Sequence, residues 1–155
     1  MEEFDIIGPN DRPALLAIST PEVVGMVKTA LTALGYKVHL VENHEQFELR
    51  YHQVSYQIVV IEETFAGSDL LENPTLRLVQ TLPMSQRRHA TIFLVGPSME
   101  TLNTMQAFTQ SVHCVINYSE LPMLSELAQK TLAENEMFLT TFREVQRRLY
   151  HQSPA

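Results

Sequence analysis

The chain has 155 residues, a formal net charge of −7 and a single cysteine. Apolar residues make up 45% and charged residues 19%, which predicts one globular domain with a core of ordinary size. The acidic balance argues against nucleic acids and anionic membranes as partners, because both bind basic surfaces. Cys114 has no partner for an internal disulfide. It stands in an apolar run, which favours a buried small hydrophobe over a reactive thiol and fits a reducing compartment.

The N-terminus does not have the pattern of a signal peptide. The first residues are acidic and lack the basic and apolar regions of a signal peptide, and no apolar stretch approaches a membrane span. We therefore expect a cytoplasmic protein. Residues 1–13 contain Gly8, Pro9 and Pro13 and have the composition of a linker, which suggests a domain cut from a longer chain. Residues 152–155 are expected to form a short tail.

Strand-like and helix-like segments alternate along the rest of the chain. Short apolar runs typical of central parallel strands occupy residues 14–18, 36–41, 57–61, 91–95 and 114–117. Helical patterns follow at about residues 21–34, 42–53, 74–82, 100–111 and 125–150. A basic surface turn is expected at residues 85–89. Ser19 and Thr20 precede Pro21 and are expected to supply the capping hydroxyl of the first helix. The alternation predicts an α/β fold with a five-stranded parallel sheet and helices on both faces.

The last predicted helix is about twice as long as a five-residue strand needs for cover. Its second half, in residues 133–151, carries apolar residues spaced four, three and four apart, at Phe138, Phe142, Val145 and Leu149. This spacing is typical of a short coiled-coil stripe. Two interpretations stay open. The stripe packs on its own domain or on the N-terminal linker, or it binds a partner protein or a second copy of the chain.

Residues 14–132 resemble the receiver domains of response regulators. The segment LTALGYKVHLVENHEQ at residues 31–46 resembles the family's turn from the first helix into the second strand. The segment YQIVVIE at residues 56–62 resembles the approach to the phosphoacceptor aspartate. The resemblance implies a flavodoxin-like receiver fold with an extended C-terminal helix. It also implies a role in signal transduction.

Those positions hold the wrong residues for phosphotransfer. The resemblance places a metal-binding acid pair at the turn that contains Ser19 and Thr20, and the aspartate nucleophile at Glu62. It places the switch Thr or Ser at Gly96 and the phosphate-pairing lysine near Ser119. A hard divalent ion needs carboxylate oxygens, and the developing charge of phosphoryl transfer needs cations. The chain is therefore expected to be a degenerate pseudo-receiver with no catalytic residues.

Glu62 itself has two interpretations: a mimic of a phosphorylated aspartate that holds one conformation, or a solvated acid at a strand end. The acidic group of Glu62, Glu63, Asp69 and Glu72 is similarly open to a metal site, but a solvated loop is the simpler explanation. The six histidines show no metal-ligand spacing, and no glycine-rich phosphate loop is present. We expect no metal and no cofactor.

Three functions remain. The first is a non-catalytic signalling module that binds a protein partner, or dimerises through the last helix. The resemblance implies an output surface at Met105, Phe108 and Thr109. The second is a small-molecule sensor with an apolar pocket near Gly96 and Ser119. The third is an atypical phosphoreceiver of a two-component system that uses Glu62 or another acceptor.

Overall fold

The computed structural model describes residues 7–83 and 90–152 of the chain. The strands are β1 (Pro13–Ala17), β2 (Lys37–Leu40), β3 (Ile58–Glu62), β4 (Thr91–Val95) and β5 (Cys114–Ile116). The helices are α1 (Pro21–Ala33), α2 (His44–Gln53), α3 (Pro74–Thr81), α4 (Thr104–Gln110) and α5 (Leu124–Gln152). The basic turn predicted at residues 85–89 and residues 1–6 of the predicted linker lie outside the described residues. So do residues 153–155 of the tail predicted at 152–155, whose first residue ends α5.

The five strands form one parallel sheet in the order β2-β1-β3-β4-β5. Its registers include Leu16 opposite Val60 and Glu62 opposite Val95. The predicted α/β fold is therefore confirmed. Because all strands run in the same direction, the loops that follow them meet at one edge of the sheet, the carboxyl edge.

Side chains of each strand alternate between two buried layers, as a pleated strand requires. Leu15, Val59 and Ile61 pack under α2, α3 and α4, with Phe47 and Leu76 among their neighbours. On the opposite face, Leu16 and Val60 pack under α1 and α5, in a layer that contains Val27, Leu121 and Ala128. The alternation decides which way the residues at the carboxyl edge point.

Most element boundaries shift by one or two residues from the sequence prediction, including the start of β1, and the start of α4 shifts further. β1 begins at Pro13, inside the predicted linker. α4 begins at Thr104 and not near residue 100, because Leu102 adopts a left-handed conformation with φ 64° that a continuous helix cannot contain. Asn103 then caps the helix, and its Oδ1 accepts a hydrogen bond of 3.0 Å from the Gln106 amide.

Helix α5 has 29 residues, a length of about 43 Å at about 1.5 Å per residue. Its first half is buried against the sheet face and α1, through Leu124, Leu127, Ala128 and Thr131. The contact ends with Asn135, whose side-chain amide donates a 2.8 Å hydrogen bond to the Thr91 hydroxyl, and with Leu139, which is 6% exposed. Among the described residues, no helix has the length and apolar character to cross a lipid bilayer.

Candidate functional site

The last residue of β3, Glu62, is a carboxylate with no exposed surface. It follows Val60 in the strand alternation, so its side chain lies on the α1 and α5 side of the sheet. There it meets the turn between β1 and α1 and the turn that precedes α5. The interpretation of Glu62 as a solvated acid is therefore wrong, because neighbouring loops cover the strand end completely.

Four donors occupy the two oxygens of Glu62. Oε1 accepts hydrogen bonds from the backbone amides of Ser19, at 2.8 Å, and Thr20, at 3.2 Å. Oε2 accepts from the Thr20 hydroxyl at 2.7 Å and from the Tyr118 hydroxyl at 2.5 Å. A buried carboxylate is stable only when its charge is compensated in this way. All four donors to Glu62 belong to this chain.

The hydrogen bonds decide the charge of the group. Burial alone raises the pKa of Glu62, but the bonds from Tyr118, Thr20 and Ser19 lower it by more, so its pKa lies below the ordinary value of 4.5. The carboxylate is ionised at neutral pH. It stands at the start of α1, where the helix dipole also favours a negative charge.

Ser19 and Thr20 do not act as the sequence predicts. Thr20 is the N-cap residue of α1, yet its side chain makes no capping hydrogen bond, and its hydroxyl donates to Glu62. The Ser19 hydroxyl accepts a 2.8 Å hydrogen bond from the amide of Ala66, which has a left-handed backbone with φ 53°. Both hydroxyls thus fasten the end of β1 to residues at or after the end of β3.

Tyr118 is the member of this group that the sequence interpretation missed. It is the first residue of a 3₁₀ turn, Tyr118–Met123, that leads directly into α5. Burial, and then the bond to Glu62, raise the pKa of its hydroxyl, so Tyr118 stays protonated and acts as the donor. The sequence signal was a tyrosine just after a strand, since a buried tyrosine hydroxyl normally finds a partner.

The neighbouring Glu63 points to the other face of the sheet and has a separate environment. It is 4% exposed, and its Oε1 accepts a 2.7 Å hydrogen bond from the Ser98 amide. Its side chain passes across Gly96, where a β-carbon would come within 2.0 Å of Oε1 and 2.2 Å of Cγ. Gly96 is thus placed against Glu63 and not against Glu62, and its small size is required by that contact.

Ser119, near the position expected for a lysine, does not face Glu62 either. Its amide and hydroxyl both donate to Asn117 Oδ1, at 3.0 Å and 2.9 Å. The Asn117 amide group donates in turn to the Met99 and Pro97 carbonyl oxygens, which ties the end of β5 to the loop after β4. The three lysines of the chain are Lys28, Lys37 and Lys130, and none lies in the turn that directly follows β5.

The predicted acidic group does not come together. Glu62 and Glu63 are buried on opposite faces of the sheet, whereas Asp69 and Glu72 are exposed. Asp69 Oδ1 accepts from the amides of Leu71 and Glu72, both at 2.8 Å, and so closes a turn of its own. Within residues 7–83 and 90–152, no three potential ligand side chains are close enough to share a metal ion.

Two open cavities lie away from this site. One of about 710 Å³ lies between α2 and α3 and includes His44, Glu48 and Leu78 in its lining. The other, of about 560 Å³, lies at the opposite edge of the sheet beside α5 and includes Arg12 and Arg143. Neither is lined by Gly96 or Ser119, the two residues at which the sequence suggested an apolar pocket.

The predicted interaction residues are exposed. Met105 and Phe108 are 69% and 80% exposed on α4, and Thr109 is exposed beside them. On α5 the stripe is exposed by 40% to 64% at Phe138, Phe142, Val145 and Leu149. Phe138 and Phe142 stack with ring centroids 6.4 Å apart. Within the described part of the chain, the stripe is not folded back on the domain.

Comparison with known proteins supports the fold assignment. No protein-family model and no curated protein sequence matches the chain. Among solved structures, an orphan response regulator of H. pylori is similar, with 15% identity, a TM-score of 0.59, and coverage of 78% of this chain and 96% of that one. A response regulator from Thermotoga maritima has 12% identity, a TM-score of 0.62, and coverage of 79% and 98%.

A third similar structure is a response regulator of Burkholderia pseudomallei, which contains a phosphorylated aspartic acid and a calcium ion. It has 18% identity, a TM-score of 0.59, and coverage of 94% of this chain and 76% of that one. Identities this low establish similarity of fold only. The order of the strands, the cover helices and these matches agree that the chain has the CheY-like receiver fold of response regulators.

Proposed function

We propose that the protein is a non-catalytic signalling module, a pseudo-receiver that acts by binding protein and not by aspartyl phosphorylation. The observation that carries this proposal is the saturated carboxylate of Glu62. A nucleophile needs a free lone pair directed at the phosphorus atom, and both oxygens of Glu62 are occupied by Ser19, Thr20 and Tyr118.

The surrounding residues support the same conclusion. Phosphoryl transfer depends on cations that neutralise the charge of the transferred group. Ser19 and Thr20 carry hydroxyls at the turn where the resemblance implies an acid pair, and Ser119 carries a hydroxyl near the place of the lysine. Glu62 instead fills the site with a permanent, ionised carboxylate.

Phosphorylation is tested with acetyl phosphate and magnesium, read by intact mass. We expect no addition of a phosphoryl group under conditions that label a functional receiver in a parallel reaction. Stable labelling that disappears in Glu62→Gln would establish an atypical phosphoreceiver and overturn the proposal. Labelling that survives in Glu62→Gln would move the acceptor elsewhere in the chain and would overturn it equally.

The stripe on α5 is the surface that we assign to protein binding. The seven-residue phase of its residues continues inward through Asn135, Thr131, Ala128 and Leu124, which are buried or partly buried against the domain. One seam therefore packs on the sheet in its first half and is exposed in its second half. Apolar residues at this spacing are suited to another helix, including the same helix of a second copy.

Self-association is tested by light scattering on the full chain and on a Phe142→Glu, Val145→Glu variant. The matched control is Thr140→Glu, which adds a charge on the same helix outside the stripe. A dimer that the double variant abolishes and the control retains would support pairing through the stripe. A monomer in all three proteins would direct the search to a different protein partner, with the full chain as bait and the double variant as negative control.

The α4 surface is a second candidate for partner binding. Met105, Phe108 and Thr109 present their side chains to solvent, while Ala107 of the same helix is buried. A Phe108→Ser variant is expected to fold normally, because the ring is 80% exposed, and to lose any partner that uses this surface. Capture of the same partner by the Phe108→Ser variant and by the full chain would exclude the α4 surface.

A further inference from the structure

We infer that Tyr118 is a positioning residue that fixes the start of the C-terminal helix to the Glu62 carboxylate. The inference deepens the proposed function, since it assigns to the degenerate site the task of holding the helix that carries the binding stripe. Its evidence is the path of covalent and hydrogen bonds from β3 to α5.

The path from Glu62 to α5 is short. The Tyr118 hydroxyl donates to Glu62 Oε2, and Tyr118 begins the six-residue 3₁₀ turn that ends where α5 begins. Leu124, the first residue of α5, has helical backbone angles, so the turn passes into the helix without a loop between them. Leu121 and Leu124 are 3% and 1% exposed and hold the turn against the sheet.

The same carboxylate also holds the start of α1. Ser19 and Thr20 donate to Glu62 immediately before α1 begins at Pro21. Helix α1 contacts both the 3₁₀ turn and α5 on that face of the sheet. The two helices of one layer therefore start from residues that bind a single buried anion, and the anion fixes where each helix leaves the carboxyl edge.

One conservative substitution removes the hydrogen bond between Tyr118 and Glu62, because Tyr118→Phe deletes the hydroxyl and keeps the ring. Oε2 then retains one donor, the Thr20 hydroxyl. The matched control is Tyr56→Phe. It removes the hydroxyl of a buried tyrosine, which lies 2.7 Å from His39 Nδ1 in the core layer on the opposite side of the sheet from the Tyr118 turn. Both variants lose one hydrogen bond of a tyrosine hydroxyl, partly buried at Tyr118 and buried at Tyr56, but only the first is on the path to α5.

The readout is hydrogen–deuterium exchange, resolved by peptide, in the full chain. We expect Tyr118→Phe to speed exchange in the turn and the first two turns of α5 roughly tenfold. Tyr56→Phe is expected to leave exchange in that segment unchanged. Equal exchange in the segment for the wild type and for Tyr118→Phe would overturn the inference. So would the same acceleration in both variants, because that result would reflect loss of global stability alone.

A second variant tests whether the two helix starts are coupled through the anion. Thr20→Val removes the other donor to Oε2 and keeps the shape of the side chain. We expect Thr20→Val and Tyr118→Phe to be non-additive in the exchange of the α5 segment, with a coupling of severalfold. Strict additivity would show that Thr20 and Tyr118 act independently and would remove the shared-anion part of the inference.

The exchange experiment is independent of the binding function. If light scattering shows no self-association, the proposal that the stripe pairs with itself fails, while accelerated exchange in Tyr118→Phe still establishes the positioning role. If the chain does associate, Tyr118→Phe is expected to weaken association severalfold and Tyr56→Phe to leave it unchanged. If the two variants associate equally, the Tyr118 contact at the start of α5 has no influence on binding through the stripe. That result would overturn the part of the inference that links Glu62 to signalling.

Discussion

Glu63 occupies the space that a side chain on Gly96 would need, with its Oε1 only 2.0 Å from the position of a β-carbon there. The Glu63 side chain has little freedom to withdraw, because its Oε1 binds the Ser98 amide at 2.7 Å and its Cγ is almost as close to the same point. The absence of a hydroxyl residue at position 96 is thus a packing requirement of the neighbouring acid.

Gly96→Ala is expected to lower the free energy of unfolding by about 1–3 kcal/mol, as overpacking in a filled region does. Chemical denaturation measures the change. Gly25→Ala is the matched control, because a β-carbon on Gly25 meets nothing within 4 Å and alanine favours the helix. The double variant Gly96→Ala, Glu63→Ala is expected to recover part of the loss, and a neutral Gly96→Ala would contradict the packing argument.

Glu62→Ala is expected to lower the free energy of unfolding by about 1–3 kcal/mol, since it leaves the amides of Ser19 and Thr20 without their acceptor in a partly buried site. Glu62→Gln is expected to lose less, because its amide oxygen still accepts from those amides and hydroxyls can accept from its nitrogen. Urea denaturation curves of the two variants provide the measurement. Glu48→Ala, at an exposed position of α2, is the control and should change little.

The dependence of stability on pH follows from the lowered pKa of Glu62. The unfolded carboxyl binds a proton near pH 4.5 and the folded one only at lower pH, so the unfolded state binds more protons in between. The contribution of Glu62 is therefore complete above about pH 4.5 and is lost as the pH falls through the folded pKa. Glu62→Gln has no such loss. The difference in unfolding free energy between the two proteins should shrink from pH 6 to pH 3, and a constant difference would contradict an ionised Glu62.

Truncation in α5 should separate the packed half of the helix from the exposed half. A chain that ends after Thr141 keeps the Asn135 bond to Thr91 and the buried Leu139, and should unfold at nearly the full-length midpoint. A chain that ends after Glu134 loses both and should be less stable by about 2–4 kcal/mol. Thermal denaturation of both fragments measures this. Equal stability would show that residues 135–141 contribute nothing to the fold.

Cys114 should be unreactive in the folded protein. It is 3% exposed on β5, and burial raises the pKa of its thiol, so little thiolate forms at neutral pH. Labelling with a maleimide reagent is expected to be slow in buffer and fast in denaturant. Rapid labelling in buffer would show that the β5 edge of the sheet opens, and would make the thiol a reactive group after all.

Much of the fold was predictable from the sequence because its signals are local. The apolar runs that became β3 and β4, and the alternation of strands and helices, depend on neighbouring residues. The start of α4 was misplaced because the left-handed Leu102 leaves no mark in a hydrophobic pattern. Tyr118 was missed for a different reason. Its partner Glu62 is 56 residues away, and only the assembled sheet shows that the β5 loop passes over the end of β3.

The site was predicted as a set of positions and not as a set of contacts. Ser19, Thr20 and Glu62 do meet, since strand order brings the ends of β1 and β3 together. Gly96 and Ser119 lie at the same edge of the sheet, but Gly96 packs against Glu63 and Ser119 donates a hydrogen bond to Asn117. Which of two successive glutamates faces which layer depends on the phase of β3, and a shift of one residue would exchange them.

The unbroken phase of α5 has a geometric consequence. Asn135 faces the sheet through Thr91, and Phe138, less than one turn later, begins the exposed stripe on the same seam. Each residue of an α-helix turns the chain by about 100°. Inserting a single alanine after Leu139 would therefore swing Phe142, Val145 and Leu149 by about a quarter of a circle around the helix axis, while Asn135 and Leu139 keep their contacts with the domain. The number of residues between the packed and exposed halves of α5 thus sets the angle around the helix axis at which a bound partner would lie relative to the sheet.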